Sequence, residues 1–389
     1  MKKKICAVTG SRAEFGLIKH VLKKIEQTDG LEFSLVVTGA HLSKEFGYTV
    51  DEIVQEGFSI AERVEMLMSS DTSVSIGKSI GLGVISLTEC LKKLDPDILL
   101  IVGDRYEIFA AATAAMVNNI PIAHISGGEI TEGAIDEQIR HALTKMSHIH
   151  FTTADENTNR ILQMGEEAWR VHTVGGLWNE NIRNLSKLSK LDLKAMLGLE
   201  FLWPTILVTY HPTTLQLGQV GTDIEDLLDV LGQLDAEIIF TYPNADAGGR
   251  VIVSKIKEFV AKHPKAKAFE SLGSTYYLNV LSYVDLVVGN SSSGMVETQR
   301  FKLPVVNIGE RQKGRLITEN IILAEGTKNN ISSAIQKALS KEFKQRISTM
   351  RDPYYKEDVA TNIVRVLSEL PSKPTLLRKQ FVSIKRRCS

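Results

Sequence analysis

What most constrains this chain is a rhythm. Short runs rich in Val and Ile alternate with longer amphipathic segments from Ile5 to about Leu339. Apolar runs of strand length, separated by segments of helical period, specify parallel sheets covered by helices, so the expected class is α/β. The first strand series reads 5–9, 32–38, 59–64, 98–102, 122–125, 149–152 and 171–174, with helical patterns at 15–27, 73–94, 107–118 and 137–146. After Gly175-Gly176 a polar stretch, 179–194, shows little β pattern. A second series then follows at 205–209, 237–241, 267–269, 286–288, 305–308 and 321–323. At 389 residues the chain exceeds what one core serves. The expected organisation is therefore a Rossmann-like domain over 1–176 and a second over 177–352. A helical segment within 353–370 returns to the first domain, and a basic tail, 371–389, ends the chain.

Charge narrows the partners. The 46 basic and 46 acidic residues cancel, which argues against a nucleic-acid or membrane-surface protein. The exception is the tail, where Lys379, Lys385, Arg386 and Arg387 read as a solvated terminus. Cys6, Cys90 and Cys388 are an odd number without metal-like spacing, so a reduced compartment is expected. No stretch of about 20 apolar residues is apparent, which points to a cytoplasmic location.

In sheets of this kind ligands bind outside the carboxyl ends of the strands, or in the cleft between two facing domains. Most unusual residues lie just after strands. Thr9-Gly10-Ser11-Arg12-Ala13-Glu14 enters a helix, and its amides with Arg12 would suit an anion; the alternative is an ordinary turn with Ser11 as N-cap. Gly103-Asp104-Arg105 ends another strand, and His124-Ile125-Ser126-Gly127-Gly128-Glu129 ends the next, followed by Asp136 and Arg140. Asp104, Glu129 and Asp136 thus become acid/base candidates, because clustered carboxylates repel and separate their pKa values, while Arg105 and Arg140 temper the repulsion.

The second half offers a different chemistry. Tyr210-His211-Pro212 follows one strand, Asn244 another, and Asn290-Ser291-Ser292-Ser293-Gly294 a third. Small residues at a helix start present amides and hydroxyls to a diphosphate. Glu297 could accept ribose hydroxyls, and Arg311 and Arg315 add cations. Tyr276 or Tyr277, after Leu272-Gly273, could lie by a base or simply pack in the core.

Taken together these motifs resemble the hydrolysing UDP-N-acetylglucosamine 2-epimerases of sialic- and legionaminic-acid biosynthesis, over nearly the whole chain. Ser126, where many relatives carry His, and Trp178, near a usual Gly, depart from the pattern. The resemblance implies a glycosyltransferase-B-type fold with an interdomain active-site cleft and a homo-oligomer, dimer or tetramer. The helix at 73–94, with Ile76, Ile80 and Val84, could supply its face or be an ordinary core helix. It also implies loss of UDP with removal of the C2 hydrogen, giving a 2-acetamidoglucal, then water addition and release of the manno-configured sugar. By the same resemblance Asp104, Glu129 and Asp136 would carry proton transfer. Arg12, Arg105, Arg140, His211, Asn244, Leu272, Asn290, Ser291, Ser292, Ser293, Glu297, Arg311 and Arg315 would bind substrate, most of them at the diphosphate and Glu297 at the ribose. No metal is expected, since no His/Cys/Asp/Glu set has zinc-like spacing and arginines and amides can meet the phosphate charge, and no cofactor, since proton transfer inverts C2 without a redox step. A glycosyltransferase of the same architecture is the competing reading.

Overall fold

The computed structural model describes residues 2–70, 72–132, 135–212, 220–243 and 248–383. Asn244, Lys385, Arg386, Arg387 and Cys388 lie outside them. Seven strands form the first sheet: β1 (Lys3–Thr9), β2 (Leu31–Thr38), β3 (Glu62–Val64), β4 (Ile98–Val102), β5 (Ile122–Ile125), β6 (Ile149–Thr152) and β7 (Val171–Thr173). Six form the second: β8 (Thr205–Thr209), β9 (Glu237–Thr241), β10 (Ala266–Phe269), β11 (Leu286–Gly289), β12 (Val305–Ile308) and β13 (Ile321–Ala324). Every pairing is parallel. The orders are β3-β2-β1-β4-β5-β6-β7 and β10-β9-β8-β11-β12-β13. In both, the order reverses beside the first strand, so the crevices open at the ends of β1 and β4 and of β8 and β11.

The chain divides into two compact units, Met1–Glu129 with Asp136–Asn181 and Tyr354–Ser389, and Ile130–Ile135 with Ile182–Pro353. The first unit runs past the expected boundary at 176, through Asn181 within helix Trp178–Arg183. Asn181 donates to the Gly16 carbonyl at 2.8 Å and Asn179 to that of Tyr354 at 3.0 Å. The polar stretch 179–194, which shows little β pattern, contains most of that helix and the start of Lys190–Leu197.

In the first unit, helices Arg12–Glu26 and Val359–Glu369 cover one face of the sheet over Ile5, Leu35 and Leu100. On the other face, helix Ser73–Leu94 lies against Tyr106–Val117, whose Ala110, Ala111, Ala114 and Ala115 are fully buried. Alanines hold a helix while leaving room for a close neighbour. Ser73–Leu94 is the one helix among the described residues long and apolar enough to cross a membrane by length and composition. That corrects the expectation that no such stretch exists; its Ser75, Ser79, Gly83 and Leu87 are nevertheless buried in the fold.

The tail departs from expectation in part: residues 371–383 are mostly exposed but are anchored around Leu376 and Lys379. Lys379 donates to Glu166 at 2.8 Å and to the Ser147 carbonyl at 2.6 Å, and Arg170 holds the carbonyls of Leu376 and Arg378. Burial alone would raise the Glu166 carboxyl, but hydrogen bonds from His150, Lys145 and Lys379 hold it at about 2. Upstream, Lys3 reaches the carbonyls of Leu367, Ser368 and Leu370 at 2.8–3.1 Å, satisfying the orphan end of helix Val359–Glu369.

Candidate functional site

The turn after β1 is built from its own sequence. Ser11 caps helix Arg12–Glu26 in a capping box, its hydroxyl accepting from the Glu14 amide. Glu14 Oε2 in return accepts from the Gly10 and Ser11 amides at 2.8 and 3.1 Å. Those two amides are engaged within the turn, as the ordinary-turn alternative with Ser11 as N-cap has it. Arg12 lies on the surface, 3.4 Å from Glu52.

Behind the turn sits a second carboxylate. Glu107 is fully buried and faces Arg105 through Nε–Oε2 and Nη2–Oε1 contacts of 3.2 and 3.3 Å. Glu14 Oε1 is buried with no partner. Burial first and the neighbouring Glu107 second push the Glu14 carboxyl well above the usual carboxylate range, only partly countered by Arg105. Neither glutamate was singled out by sequence reasoning, although Ser11-x-x-Glu14 carries the capping-box signature. Arg105 was expected on a diphosphate; here its guanidinium is bonded to Glu107.

At the ends of β4 and β5 the carboxylates gather around one cation. Arg140, with its side chain only 1% exposed, directs both Nε and Nη2 to Asp104 Oδ2, the former at 2.7 Å. Its Nη1 donates to the Glu129 carbonyl at 2.9 Å and to Glu137 at 3.0 Å. Burial would lower the Arg140 pKa, but Asp104 and Glu129 keep it raised. The N-cap of the following helix is Arg105. Glu129 is 9% exposed and its Oε1 accepts from Thr153 at 2.9 Å. Asp136 opens helix Asp136–Met146, one turn before Arg140.

His124, on β5, is a further residue that sequence reasoning passed over. Its Nε2 meets the Gly103 carbonyl at 2.7 Å, the peptide that leads into Asp104. Burial lowers its pKa to about 4, so the ring is neutral and Nε2 carries the donated proton.

In the second unit the crevice between β8 and β11 is closed by backbone mimicry. Asn290 accepts from the His211 amide at 2.7 Å and donates to the His211 carbonyl at 2.9 Å, so its side chain extends the β8–β11 pairing. Gly289 (φ +140°) permits this approach, since a Cβ there would lie 2.0 Å from the Thr209 carbonyl oxygen. The Asn290 carbonyl in turn accepts from Arg311 at 3.1 Å and Gln312 at 3.0 Å. The Asn290 amide group, expected on substrate, is thus occupied in joining two strand ends.

The serine run opens a short helix, Ser292–Val296, with Ser291 as N-cap and Glu297 as C-cap rather than a residue one turn into a longer helix. Ser292 is exposed, and Arg315 lies beyond β12 in the loop that carries Arg311. Leu272 is buried and precedes helix Gly273–Leu281, which carries Tyr277. The Tyr277 hydroxyl bonds Ser293, and Ser293 donates to Glu297 Oε2 at 2.7 Å. Burial raises the Glu297 carboxyl to about 7 despite that hydrogen bond.

Comparison with known proteins agrees with this architecture. Residues 23–368 match the UDP-N-acetylglucosamine 2-epimerase family. The chain is 39% identical over 98% of its length, and all of the relative's, to the GDP/UDP-N,N'-diacetylbacillosamine 2-epimerase (hydrolyzing) of Campylobacter jejuni. It is 33% identical to the UDP-N,N'-diacetylbacillosamine 2-epimerase (hydrolyzing) of Legionella pneumophila, over 88% of this chain and 90% of that one. The crystal structure of UDP-GlcNAc 2-epimerase from Neisseria meningitidis bound to UDP-GlcNAc superposes with a TM-score of 0.79 at 17% identity, covering 94% of this chain and 99% of that one. The two-sheet α/β architecture is thus one that these epimerases share. The chain is an enzyme of the UDP-N-acetylglucosamine 2-epimerase family, on its hydrolysing branch.

Proposed function

We propose that this enzyme converts a UDP-linked 2-acetamido sugar to UDP and the free manno-configured sugar through a 2-acetamidoglucal, as a step toward a sialic- or legionaminic-type acid. Of the two candidate substrates, UDP-2,4-diacetamido-2,4,6-trideoxyglucose is favoured over UDP-N-acetylglucosamine, because both relatives named above act on the diacetamido sugar. The observation that carries the reading is the array in which Arg140 joins Asp104, Glu137 and the backbone of Glu129 at two adjacent strand ends.

The chemistry demands such an array. A C2 hydrogen is poorly acidic, so the C1–O bond breaks ahead of proton removal and places positive charge in the ring. Carboxylates that are already oriented stabilise that charge and accept the proton without reorganising. Asp104, Glu129 and Asp136 take these roles in the first unit, each contributing on the order of 10²–10⁴ in rate. The second unit supplies the nucleotide groups: Glu297 for the ribose, and His211, Ser291, Ser292, Arg311 and Arg315 for the diphosphate. Arg12 and Arg105 support the site from a distance in this scheme, the first at the surface and the second through Glu107.

The test is product analysis by proton NMR in deuterated water, with each UDP-sugar and with the GDP-linked diacetamido sugar. Free nucleoside diphosphate plus a manno-configured sugar deuterated at C2 is the expected result, fastest for the UDP-diacetamido substrate. Exchange at C2 with the glycosyl bond intact would mean a non-hydrolysing reaction. Consumption only when an acceptor sugar is added would mean a transferase.

A further inference from the structure

The serine-rich turn after β11 reads, by composition, as a set of hydroxyls for a diphosphate. Its third serine is committed elsewhere. A hydroxyl has one proton to give, and that of Ser293 goes to Glu297 Oε2 at 2.7 Å. The hydrogen bond with Tyr277 must then run the other way, the phenol donating into Ser293 Oγ. Burial and the nearby Glu297 raise the phenol's pKa, so it keeps that proton. The result is a directed chain, Tyr277 to Ser293 to Glu297, drawn from helix Gly273–Leu281 and from the turn after β11. With one oxygen bonded by Ser293, the Glu297 carboxyl is fixed in rotation, which leaves its Oε1 held in one direction.

We propose that Ser293 and Tyr277 are positioning residues for the ribose end of the nucleotide, acting through Glu297, and that Ser293 does not bind the diphosphate. This rests on the reading that the second unit holds a uridine nucleotide with Glu297 at its ribose. The arrangement explains a detail that the diphosphate reading leaves idle: a phosphate needs donors, whereas a hydroxyl whose proton already sits on a carboxylate offers it none. Glu297 by contrast gains, because a carboxylate with a fixed plane accepts a ribose diol at lower entropic cost than a freely rotating one.

The experiment is a ligand-and-residue cycle by titration calorimetry. Wild type, Ser293→Ala, Ser293→Thr and Tyr277→Phe are each titrated with UDP, uridine and 2′,3′-dideoxy-UDP. Expected is a loss on the order of tenfold for Ser293→Ala with both UDP and uridine, as for a hydrogen bond to a charged group. With dideoxy-UDP, which lacks the hydroxyls that Glu297 would bind, Ser293→Ala and wild type should bind alike. Tyr277→Phe should follow the same pattern with a smaller loss, and Ser293→Thr should restore UDP binding. Unchanged dideoxy-UDP affinity shows the variants folded, so the pattern does not depend on global stability. A loss that persists with dideoxy-UDP but vanishes with uridine places Ser293 on the phosphates and overturns the proposal. Equal losses with all three ligands would show a merely structural role and overturn it as well. If wild type binds no uridine ligand, the nucleotide reading itself falls, and the proposal with it.

Discussion

Replacing Glu14 with glutamine tests whether the first unit stores a proton beneath its candidate catalytic loop. Glu14 Oε2 accepts two backbone amides, its Oε1 is buried without a partner, and burial together with Glu107 pushes its pKa up. An unfolded glutamate ionises near about 4.3. Across the neutral range the unfolded chain has therefore released a proton that the folded chain keeps. The sign follows from linkage: native stability from this group is full below the unfolded pKa and is lost as pH rises toward the folded one. For one proton the slope is about 1.4 kcal/mol per pH unit. The Glu14→Gln side chain keeps a carbonyl for the Gly10 and Ser11 amides and has no proton to lose. The stability gap between wild type and Glu14→Gln should then move by about 1.4 kcal/mol per pH unit, in favour of the variant as pH rises, between roughly pH 6 and 7. The assay is urea unfolding read from the fluorescence of Trp178, which is buried in the first unit. Taking the difference cancels the histidines that titrate over the same range. A gap that stays constant with pH would mean Glu14 is ionised in the fold, and the reasoning would fail.

Asp104→Asn should lower kcat on the order of 10²–10⁴ while leaving UDP affinity unchanged; steady-state rates and calorimetry check this, and a parallel loss of UDP binding would contradict it. Gly10→Ala should destabilise by about 1–3 kcal/mol, because its Cβ would lie 2.7 Å from Glu107 Cβ on a buried, clamped side chain. Gly83→Ala meets the end of the flexible Met66 side chain at 2.6 Å and the Ala110 Cβ at 3.0 Å, and gains about 1 kcal/mol of helix propensity, so it should cost less. Equal shifts in urea midpoint would refute that comparison. Lys379→Met removes a cation from the buried Glu166 carboxylate and should cost about 3 kcal/mol. Its signature is earlier proteolytic release of the tail, and a tail as resistant as the wild type's would count against the docking.

Much of the candidate site could be proposed from sequence because ligand-binding residues of parallel sheets follow strands, and strand ends are local features. Asp104, Glu129 and Asn290 were singled out that way, each after an apolar run, and the structure places them beyond β4, β5 and β11. Other residues stayed ambiguous where one residue type serves two purposes. The Gly10–Ser11 turn has the amides of an anion site, yet Glu14 three residues on takes them up, as the capping-box pattern foretells. Ser293 looked like its neighbours in the serine run, and only its hydrogen bonds to Glu297 and to Tyr277, sixteen residues earlier, set it apart. The basic tail read as solvated because burial of Lys379 depends on Glu166, far away in sequence.

The sequence by itself determined most of the strands and their approximate positions, since apolar period and capping act within a few residues. It determined the α/β class for the same reason. Only the tertiary structure decided that β1 lies beside β4 and β8 beside β11. The β4–β5 pairing brings Arg140 to Asp104 across 36 residues, and the β8–β11 pairing brings the Asn290 amide to His211 across 79. Such pairings follow from the order in which strands join the sheet, a property of remote backbone hydrogen bonds that no local pattern encodes.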